Sequence, residues 1–242
     1  MSRALTAELF KLRTTRTSWG VTLGALAIVL IISTIAALAG DFSPEDTPSD
    51  VLQIAGLLQI FALVLGILIV ATEFRHGTIT PSLLAVPDRT RLVLAKLLTA
   101  LAAGAVLGLV GAAACAAIIV PALVGADLAS GDTLELIVGN AVASALFAAI
   151  GVGLGALIRN QVGAIIGALG WVFLVEPLLT IIPGFDEVIN KWFPSGAANQ
   201  AAGTAELDDM LGQVPASLLL AAYAAAFVAA GIVLMRRRDV SA

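Results

Sequence analysis

Very few residues in this chain could do chemistry. It has one histidine, His76, and one cysteine, Cys115. A single imidazole and a single thiol make neither a metal site nor a disulfide framework. The hydroxyls nearest apolar runs belong to Ser33, Ser144 and Ser217, while His76 lies in a polar loop, so no serine–histidine couple is expected. No Gly-x-x-x-x-Gly-Lys-Ser/Thr stretch occurs, and none of Lys11, Lys96 and Lys191 follows a glycine. The chain therefore has no phosphate loop with which to bind ATP. One carboxylate is unusual: Glu176, followed by Pro177, is the only acid deep inside an apolar run. A charged side chain near mid-bilayer costs about 2.5–3.5 kcal/mol on insertion scales. Glu176 is then protonated, paired or turned to a cavity. Two roles stay open for it: a polar contact for a substrate or gate, and a structural carboxyl bonded to a neighbouring helix. No catalytic residue and no metal ligand is expected.

The elements around these residues are too apolar for a soluble fold. Of 242 residues, 60% are hydrophobic and 12% charged, whereas roughly a quarter of a soluble domain is charged. Mean hydropathy is +1.03. Six continuous apolar runs, at residues 19–39, 51–71, 97–124, 134–158, 162–182 and 214–235, are each long enough to cross a bilayer as a helix. Continuity rather than alternation excludes a strand barrel. The prediction is an all-α integral membrane protein with six transmembrane helices. One membrane domain covers residues 19–235, after an interfacial helix at 1–18 and before a tail at 236–242.

Charge sets the expected orientation. With the N-terminus cytoplasmic, 12 of the 13 basic residues lie inside and Lys191 alone lies outside, while the external loops hold 12 of the 17 acids. The positive-inside rule then predicts both termini cytoplasmic. Ala37-Leu38-Ala39 looks like a signal-peptide cleavage site, but the apolar run before it exceeds the usual core of about 7–15 residues, so the first run is read as a retained span.

Two polar segments carry more than topology. In the leader, Met1, Leu5, Leu9 and Leu12 form one helical stripe, with Glu8 and Lys11 to its side and Arg13 at its edge. That spacing predicts a helix in the interface plane with its basic side chains toward headgroups. Between the second and third runs, Gly77 ends the helix continuing from the second run. Thr80-Pro81 reads as an N-cap and first helical position. Ser82 to Val86 makes one or two turns before Pro87 stops them, and Asp88 caps the next helix. A short half-apolar helix carrying Leu83, Leu84 and Val86 results, suited either to docking on a partner protein or to lying on the membrane.

The pattern Glu73-x-Arg75-x-Gly77-Thr78, the short helix, Pro87-x-Arg89 and Ala95-Lys96 resembles the permease subunits of ABC-2 type exporters. The resemblance extends over the leader, the six spans, this loop and the segment Trp192-Phe193-Pro194-Ser195-Gly196-Ala197. It implies that residues 78–89 form the coupling helix that sits in a groove of a separate ATPase, with Glu73, Arg75, Gly77, Thr78, Leu83, Leu84, Pro87 and Arg89 as the ATPase-coupling set. It implies two copies of that ATPase, a second permease copy or sibling, membrane lipid as surroundings, and no nucleic acid. ATP and Mg would be bound by the partner, with no cofactor in this chain and no enzyme activity of its own. The implied function is outward movement of a hydrophobic or amphipathic substrate (a drug, peptide antibiotic or lipid-like molecule) across the cell membrane, as a multi-pass protein of a bacterial plasma membrane. The segment 183–213 would form short re-entrant helices at an external gate involving Glu176, Pro177, Trp192 and Pro194; a surface loop with an aromatic anchor is the other reading. The alternatives of another class are a stand-alone secondary transporter and an intramembrane enzyme. Gly20/Gly24, Gly104/Gly108, Gly151/Gly155 and Gly163/Gly167 are spaced for close helix approach and dimerisation. Cys115 reads as a small buried apolar residue, and His76 as a surface group.

Overall fold

The computed structural model describes residues 2–40, 47–123, 128–205 and 211–237. Among them every regular element is helical. They run α1 (Ser2–Thr14), α2 (Arg16–Ala39), α3 (Pro48–Leu52), α4 (Leu57–Arg75), α5 (Ile79–Ala85), α6 (Arg89–Ile119), α7 (Gly131–Ile158), α8 (Gln161–Gly170), α9 (Glu176–Leu179), α10 (Asp186–Trp192), α11 (Pro194–Ala202) and α12 (Gln213–Arg237). Six stretches are long and apolar enough to cross a membrane: α2, α3 with α4, α6, α7, α8 with α9, and α12. Each contains most of one predicted run. Met1, the acids Asp41, Glu45, Asp46, Asp127, Glu206, Asp208 and Asp209, and the tail from Arg238 onward lie outside the described residues.

The helices begin and end where local chemistry tells them to. Asp88 caps α6, its carboxylate accepting from the Thr90 and Arg91 N–H groups at 2.9 and 3.3 Å. Ser130 caps α7 and Asn160 caps α8 in the same way. Gly77 stands just past the end of α4 at φ +67°, a left-handed conformation that favours glycine. One start differs from expectation: α5 begins at Ile79, not at Pro81, and its N-cap is Thr78. The Thr78 carbonyl takes the Ser82 N–H at 3.3 Å, and Pro81 sits in the first turn, where a missing N–H costs nothing.

The fifth span also departs from a uniform helix. It is α-helical to Gly170, π-helical over Trp171–Val175, and α-helical again through α9, stopping at Leu179 short of the predicted 182. The π turn comes immediately before Glu176 and Pro177, where the proline ring cannot accept a regular backbone ladder.

Helix α7 is the centre of the bundle, packed against α4, α6 and α12. Apolar attraction alone does not hold helices together in lipid, so close backbone approach does. At the α4–α7 crossing a Cβ on Gly151 would run into the Leu63 carbonyl, and one on Gly66 into that of Ala148. The predicted glycine pairs split accordingly. Gly104/Gly108 and Gly151/Gly155 lie in helix contacts within the chain, whereas Gly20, Gly24 and Gly167 have open space beside them and Gly163 meets only ordinary contacts. Cys115 is buried beside Ser33, as a small core residue should be.

The basic ends of the six spans gather at one end of the bundle. Arg89 donates to the Met235 carbonyl, Arg159 to that of Leu234 at 3.0 Å, Arg236 to the Thr90 hydroxyl and Arg75 to Gln161 at 3.2 Å. The segment after the fifth span lies at the opposite end, where α11 packs on α7 and α12.

Candidate functional site

Two polar clusters occupy the two ends of the bundle. At the basic end, four side chains from three helices form a closed charge cluster. Glu8 on α1 accepts from Lys11 at 2.8 Å through Oε1 and from Lys96 at 2.9 Å through Oε2. Glu73, at the end of α4, accepts from both lysines at 2.7 Å through Oε1. Lys96 on α6 is 1% exposed and adds a bond to the Ile69 carbonyl at 3.2 Å. Lys11 reaches the Ser82 hydroxyl of α5 at 3.3 Å. Two acids and two bases make the cluster neutral, and neutrality is what allows it to be buried.

The cluster changes the reading of α1. The helix ends at Thr14, short of the expected 18, and Lys11 turns to Glu8 and Glu73. Glu8 is buried, the Lys11 side chain is half-exposed, and Leu9 and Phe10 are exposed. Burial by itself would lower the Lys11 pKa; hydrogen bonds and charges from Glu73 and then Glu8 outweigh it and leave the ammonium raised above its ordinary value of 10.5.

The predicted coupling residues divide in two. Arg75, Gly77, Thr78, Leu84 and Pro87 are exposed, Leu84 at 78%. Glu73 is 7% exposed, Leu83 packs on the core, and Arg89 is half-buried against α12. The loop therefore has an outer surface and an inner anchorage. Sequence reasoning missed Glu8, Lys11 and Lys96 as that anchorage. The available signal was three charges flanking apolar runs without a local opposite partner for Lys96.

At the other end, Glu176 is buried and accepts from the Trp171 indole at 2.8 Å. The Ser195 backbone N–H, in the first turn of α11, also donates to it. A carboxylate at a helix start satisfies amides that the helix itself cannot. Trp171 stacks on Phe193 with ring centres 6.2 Å apart and planes at 8°. Tyr223 donates to the Trp192 carbonyl at 3.0 Å, and the Trp192 ring is exposed. Pro177 and Pro194 open α9 and α11. Of the four residues predicted for this region, Glu176 reaches α11 through Ser195, the neighbour of Pro194, while Trp192 is tied instead to Tyr223 of α12 through its carbonyl. Gln200, which the sequence did not single out, ties α10, α11 and Leu211 together.

Among the described residues no three of His, Cys, Asp and Glu converge. The geometry is that of a multi-pass helical membrane protein with a polar anchorage at its basic end. Residues 4–176 match the ABC-2 family transporter proteins, and the chain belongs to that family, a membrane component of transport. No curated protein sequence matches it.

Proposed function

We propose that the chain is the permease subunit of an ATP-driven ABC exporter, working with a separate ATPase that binds ATP and Mg. Family membership supports transport; the observation that carries the coupling role is α5 itself. It offers Leu84 to solution, beside the exposed Thr78 and Arg75 that precede it, while Lys11 links it through Ser82 and Glu73 to α1, α4 and α6. A push on α5 is thereby delivered to three helices at once, because packed elements move as units rather than deform. By the positive-inside count, this end and both termini are cytoplasmic in a bacterial plasma membrane. Two such permeases, as a homodimer or with a sibling, would bind two ATPases. The open glycines of α2 and α8 provide a surface for that pairing. The α10–α11 segment with Glu176, Pro177, Trp192 and Pro194 would serve as the external gate. The apolar runs carry almost no charge apart from Glu176, which fits a hydrophobic or amphipathic cargo.

The test is a mild-detergent pull-down of the tagged chain from its native membrane. A roughly stoichiometric ATPase should be retained, and Leu84→Asp should release it without lowering the yield of inserted chain. Recovery of the chain alone, under conditions that keep other transporter complexes intact, would overturn the proposal and favour a stand-alone transporter.

A further inference from the structure

Gln59, in the first turn of α4, is 3% exposed, and its Nε2 is buried with no hydrogen-bond partner among the described residues. Inside a membrane span there is little water to serve an unmet donor, so leaving it unpaired is costly. The cost is removed if a second conformation supplies an acceptor. One stands close by on α11. Measured from the place a Cβ on Gly56 would occupy, Asn199 Oδ1 is 3.6 Å away and Gln59 Nε2 is 3.9 Å away. The two carboxamides therefore border one gap, which is open because position 56 has no side chain. Asn199 itself lies on the exposed side of α11.

The packing of α11 says which side can move. Gly196 lies directly on the Asn190 carbonyl, and Gln200 donates to the Asn190 and Lys191 carbonyls, so α10 and α11 form one piece. That piece meets the 3-10 turn Gln53–Gly56 that leads into α4. A second orphan acceptor, Asn140 Oδ1 on α7, is also buried. However, α7 and α4 are held backbone to backbone at Gly66 and Gly151, which leaves those two helices little freedom to shift against each other.

We infer that α11 has a second position, closer to α4, in which Gln59 Nε2 donates to Asn199 Oδ1 across Gly56. This hydrogen bond latches the outer end of the bundle. It rests on the reading of α10–α11 as an external gate and names the contact that holds that gate shut.

The experiment follows hydrogen exchange of residues 194–202 by mass spectrometry, on the full chain in nanodiscs of dioleoyl phosphatidylglycerol and phosphatidylcholine. Gln59→Leu and Asn199→Ala should each speed exchange about three- to tenfold, the worth of one interhelical hydrogen bond in a membrane. The double variant should be no faster than either single one. Gly56→Leu keeps both amides but fills the gap, and should speed exchange as much. Gly56→Ala, whose Cβ meets only ordinary contacts, should not. Exchanging the two lengths, Gln59→Asn with Asn199→Gln, should restore slow exchange. Additive single effects would overturn the latch, as would coupling of Gln59 to Asn140 in place of Asn199. So would a Gln59→Leu variant with a higher unfolding midpoint and unchanged α11 exchange, the behaviour of a donor that never finds a partner. The gate reading is tested separately, on the chain with its retained ATPase: ATP and vanadate should change exchange across residues 186–202. No change there would refute the gate, whereas the latch is refuted only by the variants.

Discussion

Lys96→Met is the sharpest test of the charge cluster. It keeps the length of the side chain and removes a charge that is 1% exposed. Lost with it are the ion pairs to Glu8 and Glu73 and the bond to the Ile69 carbonyl. Lys11 still serves both acids, so the remainder is one cation facing two buried carboxylates. Breaking a buried pair from one side costs about 3–5 kcal/mol, most of it the charge left behind. Lys11→Met, at a half-exposed partner, should cost clearly less, because water screens what it leaves. Removing the surplus acid should help: Glu8→Gln in the Lys96→Met background leaves Lys11 and Glu73, and the double variant should be more stable than the sum of the single losses predicts. The measurement is a denaturant titration in detergent, repeated at about 0.1 and 1 M salt, with tryptic cleavage in α1 as a local readout. Buried pairs are screened little, so the loss should be the same at both salts. A cost under about 1 kcal/mol, strict additivity in the double variant, or a loss that vanishes at high salt would refute a buried, cooperative cluster.

Three further outcomes are expected. The Lys11 ammonium is raised in the folded chain, so its contribution to stability is fully present below the unfolded value of 10.5 and is lost as pH rises through the higher folded value. Unfolding midpoints should therefore fall above about pH 10.5 in the parent and less steeply in Lys11→Gln. Gly151→Ala drives a Cβ into the Leu63 carbonyl and should cost about 1–3 kcal/mol in the same titration, whereas Gly167→Ala meets nothing and should be neutral or slightly stabilising. Glu176→Gln retains an acceptor for the Trp171 indole and should leave yield and unfolding nearly unchanged, while Glu176→Ala strands that donor and should cost about 1–3 kcal/mol. Equal behaviour of the two Glu176 variants would remove the structural role.

What the chain alone determined were properties written locally. Run length and continuity set six spans, because a helix in lipid must satisfy its own backbone over about 20 residues. Gly77 and Asp88 marked helix ends, because a left-handed turn and a side-chain acceptor act within a few residues. The Glu73–Arg75–Gly77–Thr78 pattern pointed to the family that residues 4–176 match. Tertiary structure decided the rest. Glu73 reads as a surface charge until Lys11, 62 positions away, closes on it, and Glu8 until Lys96 arrives from 88 positions away. The start of α5 shifted by two residues because the Thr78 carbonyl, not a side-chain cap, set it. Identical glycine spacings acquired opposite surroundings, Gly151 against a backbone and Gly167 against open space, because spacing specifies a face and only packing supplies what lies across from it.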